Sequence, residues 1–126
     1  MSDLDGLAVN GRDFSASAAH EDKLLFLRLT GNADMSAKEG LDGLLPRVHA
    51  EAQRLGVAVV AVDFRELEFM NSSCFKSFVT WISEVQELEP AKQYQIRFLS
   101  KPEMHWQRRS LHALRCFAVD LITVET

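Results

Sequence analysis

The chain has 126 residues, and its 14 basic and 18 acidic side chains give a formal net charge of −4. A hydrophobic fraction of 47% and a mean hydropathy of −0.08 are those of an ordinary single-domain globular chain. Electrostatics do not favour binding to nucleic acid or an anionic membrane, and no apolar run approaches the roughly 18 residues of a membrane span. We therefore predict neither a nucleic-acid partner nor membrane insertion.

The N-terminal segment is polar and acidic. A secretory signal would begin with basic residues and continue into an apolar core, so a cytoplasmic location is expected. Residues 1–11 are predicted to be a flexible lead-in, followed by a single domain over residues 12–126.

The sequence predicts no metal site and no cofactor. Cys74 and Cys116 are too few for a disulfide framework and lack zinc-ligand spacing. Each falls in the apolar stripe of a predicted helix, so both are expected to be buried free thiols. The histidines, among them His49, lie at no metal or triad spacing and are interpreted as surface or capping residues. Neither G-x-G-x-x-G nor a Walker A sequence occurs.

The first predicted elements are two strands, over residues 14–19 and 24–30, that form an opening hairpin. Asp34 or Ser36 can cap the first helix, which comes after the hairpin.

Leucines and small residues at helical spacing predict this helix over residues 42–55. Pro46 lies either in its first turn or at a kink, and Gly56 is placed to end it.

Val57 to Val62 is a run of Val and Ala, typical of a central strand covered on both faces. After a short loop, Asn71 and Ser72 stand where an N-cap belongs, and apolar spacing from Cys74 predicts a helix over residues 72–88. Asp63, at the end of the strand, is expected to hydrogen-bond local backbone.

The last third of the chain predicts a strand over residues 94–99, a helix over 102–117 capped by Ser100, and a short strand over 121–125. The expected inward residues of this helix are Leu111, Leu114, Phe117 and Ala118. The expected outward residues are Gln107, Arg108, Arg109, His112 and Arg115.

Strands that alternate with helices indicate an α/β fold. We predict a mixed sheet of four to five strands with helices packed against it, parallel except for the opening hairpin.

The segment DFRELEFMNSS, from Asp63 to Ser73, resembles the signature of STAS domains, the sulfate-transporter and anti-sigma-factor-antagonist family. The family pattern is roughly Asp-Leu, three or four residues, Phe-Met/Ile-Asp-Ser-Ser-Gly, followed by a helix. The order of elements extends the resemblance over residues 12–125. The chain departs from the pattern at Asn71, where Asp is usual, and at Cys74 and Lys76, where glycines are usual.

The resemblance implies that Ser72 is a phosphoacceptor and that Asn71, Ser72, Ser73 and Lys76 bind a partner. A phosphate at a helix N-terminus gains from free N–H groups and the macrodipole, and Lys76 adds a cation within about one turn. From the residues alone, Ser72 can equally be a helix cap that is never modified.

The resemblance further implies a regulatory protein-binding module without catalytic activity. Like an anti-sigma factor antagonist, it would control a serine-kinase-like protein, an anti-sigma factor or another regulator by partner switching, and a homodimer is possible. The run Asn-Ser-Ser-x-x-Lys-Ser is also similar to STAS-like phosphoproteins that regulate diguanylate cyclases.

Two other classes of function remain as alternatives. One is an unphosphorylated STAS scaffold or accessory subunit of a transport or signalling assembly. The other is a small hydrolase that uses Ser72 or Cys74, which the missing G-x-S-x-G elbow disfavours.

Overall fold

A six-stranded mixed sheet and three helices make up the protein, for which the computed structural model describes residues 2–126. A single 3₁₀ turn, Pro90–Lys92, precedes the fifth strand. In chain order the elements are β1 (Ser2–Asn10), β2 (Phe14–Glu21), β3 (Leu24–Ala33), α1 (Met35–Leu55), β4 (Val59–Met70), α2 (Ser72–Gln86), β5 (Gln95–Leu99), α3 (His105–Phe117) and β6 (Ile122–Glu125).

The strands lie side by side in sequence order, β1 to β6. The pairs β1–β2 and β2–β3 are antiparallel, and the three later pairs are parallel. Right-handed crossovers that all advance in one direction place α1, α2 and α3 on the same face of the sheet. The predicted fold class is confirmed, with six strands instead of four to five. None of the helices in the described part of the chain is long and apolar enough to cross a membrane.

The core lies between the sheet and the helices, so the central strand is covered by helices on one face only. Val60, Val62 and Phe64 are fully buried in the hydrophobic core, whereas Val59 remains partly exposed. Within residues 2–126 no helix lies on the opposite face, because every crossover has the same hand. The expectation that this strand is covered on both faces therefore holds only in part: helices cover one face, although Ala61 and Asp63, which alternate with the core residues, are also buried.

The sixth strand is β1, and the prediction of a flexible lead-in over residues 1–11 is wrong for residues 2–10. β1 pairs with β2 at one edge of the sheet, with an irregularity between Asp3 and Ala8. Leu7 is buried, and Val9 packs on α1 where Gly40 lets the strand approach closely. The packing of these apolar side chains, together with the partly buried Leu4, holds the strand against the domain.

α1 begins at residue 35, seven residues before the predicted start. Asp34 is the N-cap, and its carboxylate accepts a hydrogen bond from the Ser36 N–H at 2.9 Å. Pro46 lies inside the helix, on its exposed side, where the missing N–H costs one intrahelical bond. Gly56, with φ of 63°, ends the helix as predicted.

Four expectations for the two ends of α3 are wrong. The helix begins at residue 105, and Ser100 does not cap it, because its hydroxyl donates to the Glu125 carbonyl at 3.1 Å. Cys116 and Phe117 are exposed. The helix packs at its edge of the sheet through Leu111 and Leu114, so its last turn projects beyond the core.

Candidate functional site

The Asn71–Ser72–Ser73 segment lies at the carboxyl ends of β3 and β4, where α1 and α2 begin side by side. Parallel strands end at the same edge, and β3 and β4 are parallel neighbours with Ala33 opposite Met70. The Asn71 N–H donates to the Ala33 carbonyl at 2.9 Å, and the Cys74 thiol donates to the Asp34 carbonyl at 3.4 Å. Residues from both helix starts therefore form one continuous surface.

The chain reaches this edge as strand and not through the predicted loop. β4 continues to Met70 and stays paired with β3. The register between the two strands shifts at two places, where β4 has extra residues: between Asp63 and Glu66 and between Leu67 and Phe69. Bulges of this kind bend a strand and re-aim its side chains. They place both Glu68 and Phe69 on the exposed side of the segment.

Asp63 stabilises the first of these two irregularities in β4, the one between Asp63 and Glu66. Its carboxylate, only 2% exposed, accepts from the Arg65 backbone N–H at 2.9 Å and from Arg65 Nε and Nη2 at 2.9 and 3.0 Å. Burial by itself raises the pKa of Asp63, but the bonds from Arg65 outweigh it, so the pKa lies below its ordinary value. The expected bond from local backbone to Asp63 is confirmed.

Gln107 of α3 secures the other side of the same segment. β5 pairs with β4 only as far as Asp63 opposite Leu99, so later β4 carbonyls have no strand partner there. The Gln107 amide fills this place: it donates to the carbonyls of Phe64 at 2.6 Å and Leu67 at 2.9 Å. Its side-chain oxygen accepts from the Lys101 N–H at 2.9 Å. The prediction that Gln107 faces outward is wrong.

The helix cap is Asn71, which leaves Ser72 free. Asn71 has extended backbone geometry, and its side-chain oxygen accepts from the Cys74 N–H at 2.9 Å. Ser72 is the first residue of α2 and is exposed, and its hydroxyl has no hydrogen-bond partner among the described residues. The interpretation of Ser72 as a cap is therefore wrong.

The other predicted site residues lie on the same first turns of α2. Ser73 is half-buried, and its carbonyl accepts a long bond of 3.4 Å from the Ser77 hydroxyl. Lys76 is exposed one turn after Ser72. The first turn of α2 contains no acidic side chain. The helix start therefore presents uncapped N–H groups and one nearby cation to an approaching anion.

Ser77 ties the two helices together below this surface. Its hydroxyl donates to Asp42 of α1 at 2.6 Å, and the Lys38 ammonium donates to Asp42 at 2.9 Å. The Ser77 bond, and secondarily Lys38, hold the pKa of Asp42 below its usual range against a small opposing effect of burial. The two helix starts are thus fixed relative to one another by a polar link as well as by packing.

Two exposed apolar side chains flank the site, and the sequence patterns did not identify either. Met35, the first residue of α1, is 65% exposed, and Phe69, the penultimate residue of β4, is 45% exposed. Strand alternation would bury Phe69 or Met70 but not both, which is the signal that one of the two faces solvent. Isolated exposed apolar residues are common, but two beside a free hydroxyl are suited to partner contact.

Cys74 is a structural thiol. It is fully buried beneath the helix start, and burial is the main cause that raises its pKa. The buried-thiol interpretation is confirmed for Cys74 and is wrong for Cys116. Across residues 2–126 no three His, Cys, Asp or Glu side chains are grouped as metal ligands would be.

Comparison with solved structures identifies the architecture. An anti-sigma factor antagonist from Mycobacterium paratuberculosis superposes with a TM-score of 0.66 at 14% identity, over 93% of this chain and 90% of that chain. The anti-sigma factor antagonist SpoIIAA in its unphosphorylated form gives 0.54 at 19% identity, over 75% and 81% of the two chains. The Bacillus cell fate determinant SpoIIAA in the phosphorylated form gives 0.58 at 18% identity, over 88% and 91%.

No family model and no curated protein matches the sequence. The likeness is therefore one of fold, and the chain has the STAS fold of these antagonists.

Proposed function

We propose that the protein is a regulatory protein-binding module without catalytic activity, which controls a partner kinase or other regulator by partner switching. In this proposal the unmodified surface around Ser72 binds the partner, and phosphorylation of Ser72 releases it. The observation that carries the proposal is the free, exposed hydroxyl of Ser72 beside a cap supplied by Asn71.

A phosphate on Ser72 is compatible with the folded state. It would meet the uncapped N–H groups of α2, which favour an anion by about 0.3–1 kcal/mol at exposed sites. No acidic side chain in the first turn opposes it, and Lys76 lies one turn away. Because Asn71 already holds the cap, modification of Ser72 breaks no hydrogen bond of the helix.

The same phosphate is unfavourable once a partner covers the surface. A docked protein would desolvate Ser72 together with Met35 and Phe69, and a dianionic group pressed against apolar atoms loses its hydration. Addition of the phosphate therefore weakens the complex more than it affects the fold. The neighbour SpoIIAA is known in unphosphorylated and phosphorylated forms, both with this architecture, which supports the idea that the fold tolerates such a group.

The test begins with the protein isolated from its native cells. Mass spectrometry should find a phosphate on Ser72, and affinity capture should recover the partner mainly with the unmodified form. With that partner in hand, Ser72→Asp should weaken binding by at least about tenfold, whereas Ser72→Ala should bind as wild type does and resist the kinase.

Ser83→Asp is the matched control, since Ser83 is exposed on the same helix three turns further on. It adds the same charge and should leave binding unchanged. Equal binding of Ser72→Asp and wild type would reject the switch and leave an unphosphorylated scaffold as the better account.

A further inference from the structure

A second surface lies at the same end of the sheet as Ser72 but further along it, beyond the ends of β5 and β6. An open cleft of about 360 Å³ is bounded there by the residues that follow β5, by the end of β6 and by α3. β5 and β6 are parallel and in register at Leu99 and Glu125, so both present their carboxyl ends to it. In open α/β sheets, ligands bind beyond the carboxyl ends of the strands, and the volume falls in the range of small-molecule sites.

Basic side chains dominate this cleft. Arg108, His112 and Arg115 line it from positions i, i+4 and i+7 of α3, which share one face of the helix. Lys101 joins them from the loop before the helix. No side chain that lines the cleft is acidic, and in the described part of the chain neither arginine nor Lys101 forms an ion pair.

This arrangement runs against the charge of the whole protein. Residues 101–117 hold four basic side chains and one acidic one, a net charge of +3, although the chain as a whole carries −4. Arg108 and Arg115 lie two turns apart on one face of α3 and have no carboxylate partner in the described part of the chain, which leaves their charge available to a ligand.

The rest of the lining suits a compact polar ligand. Thr123 of β6 contributes an exposed hydroxyl, and Val124 with Pro102 contributes apolar surface. Arg108 and Arg115 are seven residues apart, about 10 Å along the helix axis. Because both arginines line the same cleft, their long side chains can reach towards each other and contact one compact anion, with the charge-assisted hydrogen bonds that arginine forms with phosphates.

We propose that this cleft binds a small anion that bears two phosphate groups or a diphosphate. Arg108 and Arg115 hold its charged ends, and Lys101 and the Thr123 hydroxyl donate further hydrogen bonds. The site does not involve Ser72, so its test is independent of the test of partner switching.

The test is isothermal titration of the full chain with inorganic pyrophosphate at about 0.15 M ionic strength, where exposed charges more than about 8 Å apart are largely screened. Wild type should bind at a single site, and Arg108→Gln and Arg115→Gln should each weaken binding by about tenfold or more, because each removes a charge-assisted contact. Arg109→Gln is the matched control: it removes the same charge from the adjacent position of α3, which does not line the cleft. It should change the affinity less than about twofold.

Two further binding experiments identify the kind of molecule that carries the phosphate groups. Adenosine diphosphate in place of pyrophosphate asks whether the ligand is a nucleotide, and sedimentation with phosphatidylglycerol vesicles asks whether it is a lipid surface. Circular dichroism of each variant establishes that the fold is retained, and if one arginine variant unfolds the other decides the question. Absence of pyrophosphate binding, an equal effect of Arg109→Gln, or binding to vesicles alone would each overturn the proposal.

Discussion

His49 Nδ1 lies 2.7 Å from the hydroxyl of Tyr94, a contact between α1 and the residue that precedes β5. Trp81 of α2 donates its indole N–H to the same hydroxyl oxygen at 2.8 Å. The Tyr94 O–H is therefore best satisfied when it donates to His49 Nδ1, which requires neutral imidazole with its proton on Nε2. Three elements of the helix-covered face meet at this buried hydroxyl, and burial raises the pKa of Tyr94.

The first prediction is that acid destabilises the protein through His49. Burial, only partly offset by the charge of Glu84, lowers the pKa of His49 below its unfolded value near 6.5. The unfolded state therefore binds more protons just below that pH, and the stability of the fold falls as the pH drops below about 6.5 towards the folded pKa. Urea unfolding of wild type and His49→Asn at pH 7.5 and 5.5 measures this.

The difference in stability between the two proteins should shrink at the lower pH. His105→Gln, which removes an exposed histidine, serves as the control and should follow wild type. A constant difference between wild type and His49→Asn across the two pH values would show that the neutral imidazole is not required.

A second prediction concerns Gln107. Gln107→Leu keeps most of the side-chain volume but leaves the Phe64 and Leu67 carbonyls and the Lys101 N–H without their partner. Buried polar groups that lose their partners cost about 1–3 kcal/mol each, so we expect a loss of at least about 2 kcal/mol in chemical denaturation.

Gln86→Leu is the control for that measurement. Gln86 is exposed and donates one bond, to the Phe117 carbonyl, so water can replace it and the cost should stay below about 1 kcal/mol. Similar losses in both variants would argue against Gln107 as the support of β4.

The third prediction separates the cap from the proposed phosphoacceptor. Asn71→Ala should cost about 0.5–2 kcal/mol, because the Cys74 N–H loses its acceptor. Ser72→Ala should change the stability by less than about 0.5 kcal/mol, since no bond of its hydroxyl is lost. Thermal unfolding of the two variants decides it, and a Ser72→Ala loss as large as that of Asn71→Ala would contradict the assigned cap.

A fourth prediction uses two glycines of α1. A methyl group at Gly43 would meet nothing within 4 Å, so Gly43→Ala should stabilise the helix by about 0.5–1 kcal/mol. At Gly40 the same group would lie 2.7 Å from Val9 Cγ1, and relieving such overpacking costs about 1–3 kcal/mol.

Gly40→Ala should therefore be less stable than Gly43→Ala, with faster hydrogen exchange in β1. Equal stability of the two variants would mean that β1 does not pack on α1 through Val9.

The fifth prediction concerns the two thiols. Cys116 is exposed, whereas Cys74 is buried with a raised pKa, and thiolate is the reactive form. Iodoacetamide should alkylate Cys116 in the native protein and reach Cys74 only after unfolding. Cys116→Ser should then remove native labelling altogether, and modification of Cys74 under native conditions would show that the start of α2 opens.

The sequence by itself determined the parts of the fold that depend on local pattern. The Val/Ala run, the Asn71 cap position and the apolar spacing of α2 follow from strand and helix periodicity and from capping chemistry, which act over a few residues. The same patterns identified Ser72 as a residue at the helix start, although they did not distinguish it from the cap.

The tertiary structure decided what depends on neighbours distant in sequence. Gln107 is buried because β5 ends before β4 does and leaves carbonyls to be satisfied, which no pattern within α3 records. His49 is half-buried because Tyr94 and Trp81 lie beside it, although its position on α1 resembles that of a surface residue. β1 is a strand because Leu7 and Val9 find apolar surface on the domain. In each case the free energy comes from burial or hydrogen bonding across the fold, and a short window of sequence does not contain the partner.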